Sequence, residues 1–370
     1  MPRNKAVFLN CKGVNYLNLF NLFRQPNKVR YTLCAVSALV ASLSLTNTTA
    51  LAANPQQEKP RVAIAIHGGA GTILKSSMTP EQEADYKRVL TQAVQHGYGL
   101  LKEGKKGEVA VVETIKILES SPLFNAGIGA VYTFDGEHEL DASIMHGGSK
   151  NAGAVAGVKT IRSPIEAALL VMNESPHVML SGVGAEEYAK QNGLEQVDNS
   201  VFDTKFRKQA LDKAKARMEQ ASNGYGIQQG NERFGTVGAV VLDGEGNIVA
   251  GTSTGGMTAK RFGRIGDSPV IGAGTYADNS SCAVSATGHG EYFIRYNVAA
   301  DICARMKYQG LTLNDAANTV VNDVLVKAGG DGGVIAIDAN GNVAMPFNSA
   351  GMYRASIDIN GKVTVAIYKD

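Results

Sequence analysis

Near its end, this 370-residue chain three times places a glycine-containing polar turn between two apolar runs. The turns are Asp243-Gly-Glu-Gly-Asn247, Asp338-Ala-Asn-Gly-Asn342 and Asp358-Ile-Asn-Gly-Lys362. Asp-x-x-Gly-Asn and Asn-Gly between alternating apolar residues close β-hairpins, because glycine and asparagine tolerate the left-handed backbone a tight turn needs. The C-terminal part is therefore read as antiparallel sheet, with two helices, 290–308 and 313–327, in between. Upstream the pattern changes to helix signals. Thr79-Pro80-Glu81-Gln82 is a capped start for a helix to about Lys102, with Gly104 as the stop. A second helix spans 108–120, Ser163-Pro164-Ile165-Glu166 opens a capped third, and helical stretches follow near 181–192 and 203–221. Strands are read at 61–66, 139–145 and 152–158. The order of helices and strands predicts an α+β fold, antiparallel sheets flanked by helical layers.

The two parts meet at Gly235–Thr236, where a polar, glycine-rich stretch (223–233) gives way to the apolar run Val237–Leu242. Alone, a Gly-Thr before a strand is an ordinary loop ending. If the bond is cleaved, however, Thr236 carries both a hydroxyl and a free α-amine. That amine has a pKa of about 7.7–8.0 and can act as base for its own hydroxyl. Glycine also suits a strained scissile peptide.

Five ordered motifs surround that junction: His67-Gly-Gly-Ala-Gly71, Leu123-Phe-Asn-Ala-Gly-Ile-Gly129, Gly251-Thr-Ser-Thr-Gly-Gly-Met257, Gly263-Arg-Ile-Gly-Asp-Ser-Pro269 and Ala286-Thr-Gly-His-Gly-Glu291. With Gly235-Thr236-Val-Gly-Ala239 they resemble the plant-type asparaginase and isoaspartyl peptidase family of N-terminal nucleophile hydrolases, over nearly all of residues 61–370. The resemblance implies an αββα sandwich, cleavage between Gly235 and Thr236, and Thr236 as nucleophile. It implies that Thr254 bonds near the nucleophile and that Thr287 and Gly288 form the oxyanion hole. Arg264 then takes the substrate α-carboxylate, Asp267 and Gly290 its α-ammonium, and Asn125 faces the nucleophile. On spacing alone, Arg264 and Asp267 read as a local ion pair; the alternative for Thr254 is an ordinary strand threonine. The implied reaction is hydrolysis of β-aspartyl dipeptides and of the L-asparagine side-chain amide. No cofactor is expected for catalysis. A structural sodium ion on the backbone carbonyls of Leu118, Glu119, Ser121, Phe124, Ala126 and Ile128, and a dimer of αβ units, are implied by the resemblance alone. His67-Gly-Gly is read as a tight turn near the site.

Three other readings compete. Gly251-Thr-Ser253-Thr-Gly255 matches a serine nucleophile elbow, with His289 and Asp267 or Asp278 as partners, but an elbow needs a helix directly after it. A glycosylasparaginase-like amidohydrolase of the same superfamily is the nearer alternative. A non-catalytic amino-acid-binding protein would use Arg264 and Asp267 without Thr236.

Residues 1–52 hold six basic and no acidic residues, then an apolar run at Tyr31–Leu45 and Ala50-Leu-Ala52. That order predicts a cleaved export signal and a periplasmic or secreted protein. The apolar run of about 15 residues falls short of the ~20 a membrane span requires. Residues 53–235 would then form an α subunit ending in a linker at about 222–235, and 236–370 a β subunit. Without 1–52 the chain holds 30 basic and 34 acidic residues, a net −4 with no basic stripe, which argues against nucleic acid as a partner. Cys282 and Cys303 remain after export, either paired or free.

Overall fold

The computed structural model describes residues 61–220 and 235–369. The predicted export segment and, but for Gly235, the predicted linker lie outside them.

The three repeated turns share one hydrogen-bonding scheme. In each, the aspartate Oδ1 accepts two backbone N–H groups, from Glu245 and Asn247, from Asn340 and Asn342, and from Asn360 and Lys362. The glycine of each, Gly246, Gly341 and Gly361, stands at positive φ (84°, 81° and 81°). A side-chain carboxylate thus does the work of a backbone acceptor, and glycine closes the turn without steric cost.

Among the described residues, twelve strands follow from these turns and the apolar runs: β1 (Ala63–Gly71), β2 (Leu140–His146), β3 (Ala152–Val158), β4 (Met179–Ser181), β5 (Val237–Leu242), β6 (Ile248–Thr254), β7 (Thr275–Ala277), β8 (Cys282–Gly288), β9 (Gly332–Asp338), β10 (Val343–Ala344), β11 (Gly351–Ile357) and β12 (Val363–Tyr368). They form one eight-stranded sheet in the order β12-β11-β1-β5-β6-β2-β3-β4 and one four-stranded sheet, β10-β9-β8-β7. All neighbours are antiparallel except β3 and β4.

Period-two alternation sorts the side chains into layers. Ala63, Ala65, Val240 and Ala250 of the large sheet meet Ala283, Ile335 and Ile337 of the small one. The opposite faces carry helices. Ile64, Ile66, Val237, Val241 and Val249 pack under α1 (Pro80–Lys102), α2 (Gly107–Glu119) and α3 (Pro164–Glu174). Val284, Ala286 and Val334 pack under α7 (Val298–Gln309) and α8 (Leu313–Asn318), the latter continuing as a π-helical turn at Thr319–Val324. Each fully buried Val, Ile or Leu contributes about 1.5–3 kcal/mol by leaving water. The result is the predicted αββα arrangement. Helices α4 (Gly182–Gln191), α5 (Lys205–Gln220), α6 (Gly290–Tyr296) and α9 (Leu325–Ala328) complete the described residues.

Two local expectations change, and one left open is decided. Ser163 precedes α3 but makes no side-chain cap. Its hydroxyl instead donates to Glu119, whose other carboxylate oxygen accepts the Ile165 N–H, so a distant carboxylate caps this helix. The helix expected over 290–308 is broken at Asn297, which sits in the left-handed region (φ 52°) between α6 and α7. Cys282 and Cys303 are joined in a disulfide that ties β8 to α7.

Candidate active site

β5 begins at Val237, so Thr236 is the last residue before a central strand, and it is buried to 8% exposure. Its hydroxyl donates to Thr254 Oγ1 (3.0 Å), which also accepts the Gly256 N–H (3.0 Å). Register produces the meeting: β5 and β6 are antiparallel neighbours with Val237 opposite Ser253, which puts Thr236 beside Thr254.

Asn125 clasps the junction. Its N–H donates to the Gly235 carbonyl (3.0 Å), its carbonyl accepts the Gly255 N–H (3.0 Å), and its Nδ2 donates to the Gly256 carbonyl (2.7 Å). Its Oδ1 accepts the Val131 N–H at 2.9 Å. The junction also requires a bare residue at Gly235: a Cβ there would stand 2.6 Å from the Asn125 Cβ.

A cleft of about 290 Å³, open mouth included, is lined by Thr236, Thr254, Gly256, Arg264, Gly266, Asp267 and Gly288, with Met257 and Ser268. A larger surface groove between α1 and α2, lined by Arg88, Glu113 and Lys116 among others, shares none of these residues. Gly288 is bare where a Cβ would press on the Asp331 carbonyl and on Gly332. Thr287 is fully buried, and its Oγ1 accepts the Ala70 N–H (3.3 Å), which leaves its own hydrogen free to donate. Gly290 brings the charged pair together: a Cβ there would lie 2.8 Å from Asp267 Oδ1 and 3.1 Å from Arg264 Nη2.

Burial pushes the Asp267 carboxyl up to about 7, against the pull of Arg264, and its Oδ2 has no hydrogen-bond partner among the described residues. Arg264 donates Nε and Nη2 to the two oxygens of Glu291 (2.8 and 2.9 Å), and the guanidinium in turn holds the Glu291 carboxyl below its usual range despite burial. The fork expected for a substrate carboxylate is thus closed on Glu291 here, with Nη1 turned towards the bare Gly266. Glu291 closes the motif Ala286–Glu291, but its partner is not legible in the sequence, because 27 residues separate the two.

The serine-elbow reading fails on geometry. Ser253 is fully buried on the helix-facing side of β6, and its hydroxyl donates to Glu119 Oε1 (2.6 Å). No helix follows directly. The sequence places His67 in a turn, but β1 runs on through it to Gly71, paired with β11 across an irregularity between His67 and Gly69. It is this strand that approaches the site through Ala70, and the imidazole is buried against Thr236, with Nδ1 2.9 Å from the Thr236 carbonyl.

Two antiparallel sheets between helical layers, with a threonine hydroxyl at the head of a central strand facing a cleft, define the N-terminal nucleophile hydrolase class. The sequence comparisons specify it further. The family described as Asparaginase matches residues 60–367, and the chain belongs to that family. The isoaspartyl peptidase of Salmonella typhimurium is 50% identical over 311 residues, covering 84% of this chain and 99% of that protein. That of Escherichia coli is 49% identical over 314 residues (84% and 97%). The isoaspartyl peptidase/L-asparaginase of Rattus norvegicus is 39% identical over 308 residues (83% and 89%).

Proposed function

We propose that this chain is a self-cleaving threonine hydrolase that splits β-aspartyl dipeptides and the side-chain amide of L-asparagine. The observation that carries the reading is the Thr236 hydroxyl, 3.0 Å from Thr254, at the head of β5 and lining one cleft with Arg264 and Asp267. In maturation the Thr236 oxygen attacks the Gly235 carbonyl and the acyl group passes from nitrogen to oxygen. Water then hydrolyses the ester, leaving Gly235 as a carboxylate and Thr236 with a free amine. Asn125, bonded to the Gly235 carbonyl, fixes the bond to be cut.

In turnover that amine accepts the proton of the Thr236 hydroxyl, and the oxygen attacks the side-chain carbonyl of the substrate. In this reading Thr287 O–H and the Gly288 N–H meet the developing oxyanion. Ammonia or an amino acid leaves with the proton, and water releases aspartate from the acyl-threonine. Arg264 Nη1 and Asp267 with Gly290 grip the two α-charges, so only the side-chain carbonyl reaches Thr236. Both activities follow from that one orientation.

A structural sodium ion in the loop from Leu118 to Ile128 belongs to the same proposal. Side chains at Gly127 and Gly129 would run into the Glu119 and Phe124 carbonyl oxygens, so these ligand atoms crowd the loop's interior. Export, with a mature terminus near Ala53, and assembly as two αβ pairs complete the proposal. Its test is Thr236→Ala: the variant stays a single chain and loses hydrolysis of β-aspartyl-leucine and L-asparagine. Two fragments with a new terminus at residue 236 in that variant would assign the cut to another protease.

A further inference from the structure

A polar layer crosses the core between the two sheets directly behind the nucleophile. It begins at the Thr236 carbonyl, where His67 Nδ1 lies at 2.9 Å. His67 Nε2 meets Ser285 Oγ (2.9 Å), Ser285 meets Thr252 Oγ1 (2.7 Å), and Thr252 meets Thr275 Oγ1 (2.5 Å). Thr275 meets Ser143 Oγ at 2.8 Å, and Ser143 donates to the Ser268 carbonyl at 2.6 Å. His67, Ser285, Thr252, Thr275 and Ser143 are completely buried. They come from β1, β8, β6, β7 and β2, so the chain stitches the sheets together at five strands. Its far end is the residue after Asp267, and Ser268 itself lines the substrate cleft.

We propose that His67 is a positioning residue for the nucleophile: its Nδ1–H holds the Thr236 carbonyl, while its Nε2 is held by a buried hydroxyl chain that reaches the floor of the substrate cleft. This inference rests on the functional reading of Thr236 above. A carbonyl only accepts, so Nδ1 carries the hydrogen. Burial lowers the imidazole pKa to about 3, so the ring is neutral and Nε2 accepts from Ser285.

Gly238 gives independent support. It pairs with His67 across β1 and β5, and a Cβ there would collide with both Ser285 Oγ and His67 Nε2. The second residue after the nucleophile is bare because this chain passes over it. The hydrogen count adds a constraint. Five groups supply five hydrogens for six contacts between two carbonyl ends, so one contact carries no hydrogen. With Nδ1–H on Thr236, Ser285 on Nε2 and the Ser143 hydroxyl on Ser268, that contact falls among the three that link Ser285, Thr252, Thr275 and Ser143. The layer thereby sets the nucleophile-bearing strand and the Asp267 loop in one register, which a reaction sensitive to sub-ångström placement needs.

The test compares the wild type with His67→Leu, His67→Asn, Ser285→Ala and the double variant His67→Asn/Ser285→Ala. Asparagine keeps a donor near the Nδ1 position and has nothing at Nε2. Rates of self-cleavage are read from the appearance of two fragments. kcat and KM on β-aspartyl-leucine are read per Thr236 terminus counted by N-terminal sequencing. His67→Leu is expected to lower kcat about tenfold to a hundredfold with KM changed less than about threefold, since substrate contacts stay intact. His67→Asn recovers most of that loss. Ser285→Ala lowers kcat by about three- to tenfold, the worth of one neutral hydrogen bond, but adds nothing in the His67→Asn background. An equal Ser285→Ala penalty in both backgrounds, or no penalty in the wild type, overturns the proposal. If His67→Leu does not fold, the Ser285→Ala comparison decides alone. If the wild type self-cleaves but ignores β-aspartyl-leucine, the substrate reading fails, and the same comparison of self-cleavage rates still judges His67.

Discussion

At the scale of single residues, the site depends on atoms that are absent as much as on those present. Gly235, Gly238 and Gly290 each stand where a Cβ would meet a residue of the site or of the layer behind it, and Gly288 where a Cβ would press on the Asp331 carbonyl. Asp267 shows the opposite device, a charge placed where water cannot reach it. A carboxyl whose folded pKa is raised to about 7 stabilises the fold most at acid pH, and that contribution is lost as pH rises through 7. Binding of an ammonium runs the other way, because it requires the ionised carboxylate. KM for L-asparagine is therefore expected to rise as pH falls below about 7, approaching tenfold per pH unit, while kcat falls separately as the Thr236 amine, with an ordinary pKa of about 7.7–8.0, is protonated. Asp267→Asn should show a high KM with no such slope. A wild-type KM that stays level from pH 6 to pH 8 removes Asp267 from ammonium recognition.

The strand is the next scale, and β6 shows how alternation assigns chemistry. Ser253 faces the helices and bonds Glu119, whereas Thr254 faces the other sheet and bonds Thr236. One residue's shift would exchange them. Glu119 accepts from Ser253, Ser163 and the Ile165 N–H, so α2, α3 and β6 meet at one buried carboxylate, pushed up to about 7 by its burial. The β8–α6–α7 unit has a covalent tie as well. The Cys282–Cys303 disulfide encloses Thr287, Gly288, Gly290 and Glu291 within 21 residues of chain. Both cysteines belong to the segment after Thr236, so the bond does not join the two proposed fragments. Cys282→Ser/Cys303→Ser is expected to lose about 3 kcal/mol of stability in denaturant unfolding, by loop-closure entropy. On a non-reducing denaturing gel the wild-type fragments should still separate. A single band there that splits only on reduction would contradict the pairing.

For the molecule as a whole, the strand order makes chain cleavage a local event. β1 lies between β5 and β11, and β2 lies against β6, so segments from both sides of Gly235 alternate in one sheet. After the proposed cleavage the fragments would remain interleaved, held by strand pairs and by the core shared with α1, α2 and α3. They should co-elute in native chromatography and separate only under denaturation. From a precursor of 38.9 kDa that loses its predicted export segment, the assembled species is expected near 70 kDa, about two αβ pairs. A solution mass near half that value would leave one pair as the active unit.

Much of this was legible in the sequence, for definite reasons. Turn chemistry is local, so Asp243, Asp338 and Asp358 with their glycines announced the hairpins. Thr79 and Gln82 announced α1 by a reciprocal cap within four residues. The Gly235–Thr236 junction and the glycine-rich motifs marked the site because nucleophile and bare backbone are properties of residue type. Pairings across distance were not legible. Glu291 on Arg264, Glu119 at the start of α3, Asn125 on Gly235 and the Cys282–Cys303 bond each join residues that only sheet order and helix packing bring together. His67 is the clearest case. A histidine after an apolar strand fits a turn equally well, and 169 residues separate it from Thr236. Residue type determined which groups this chain could use as nucleophile, acid and clamp. The antiparallel register of β1, β5 and β6, packed on β8, decided which of them meet, because a hydrogen bond demands contact within about 3 Å and sequence order carries no such distance.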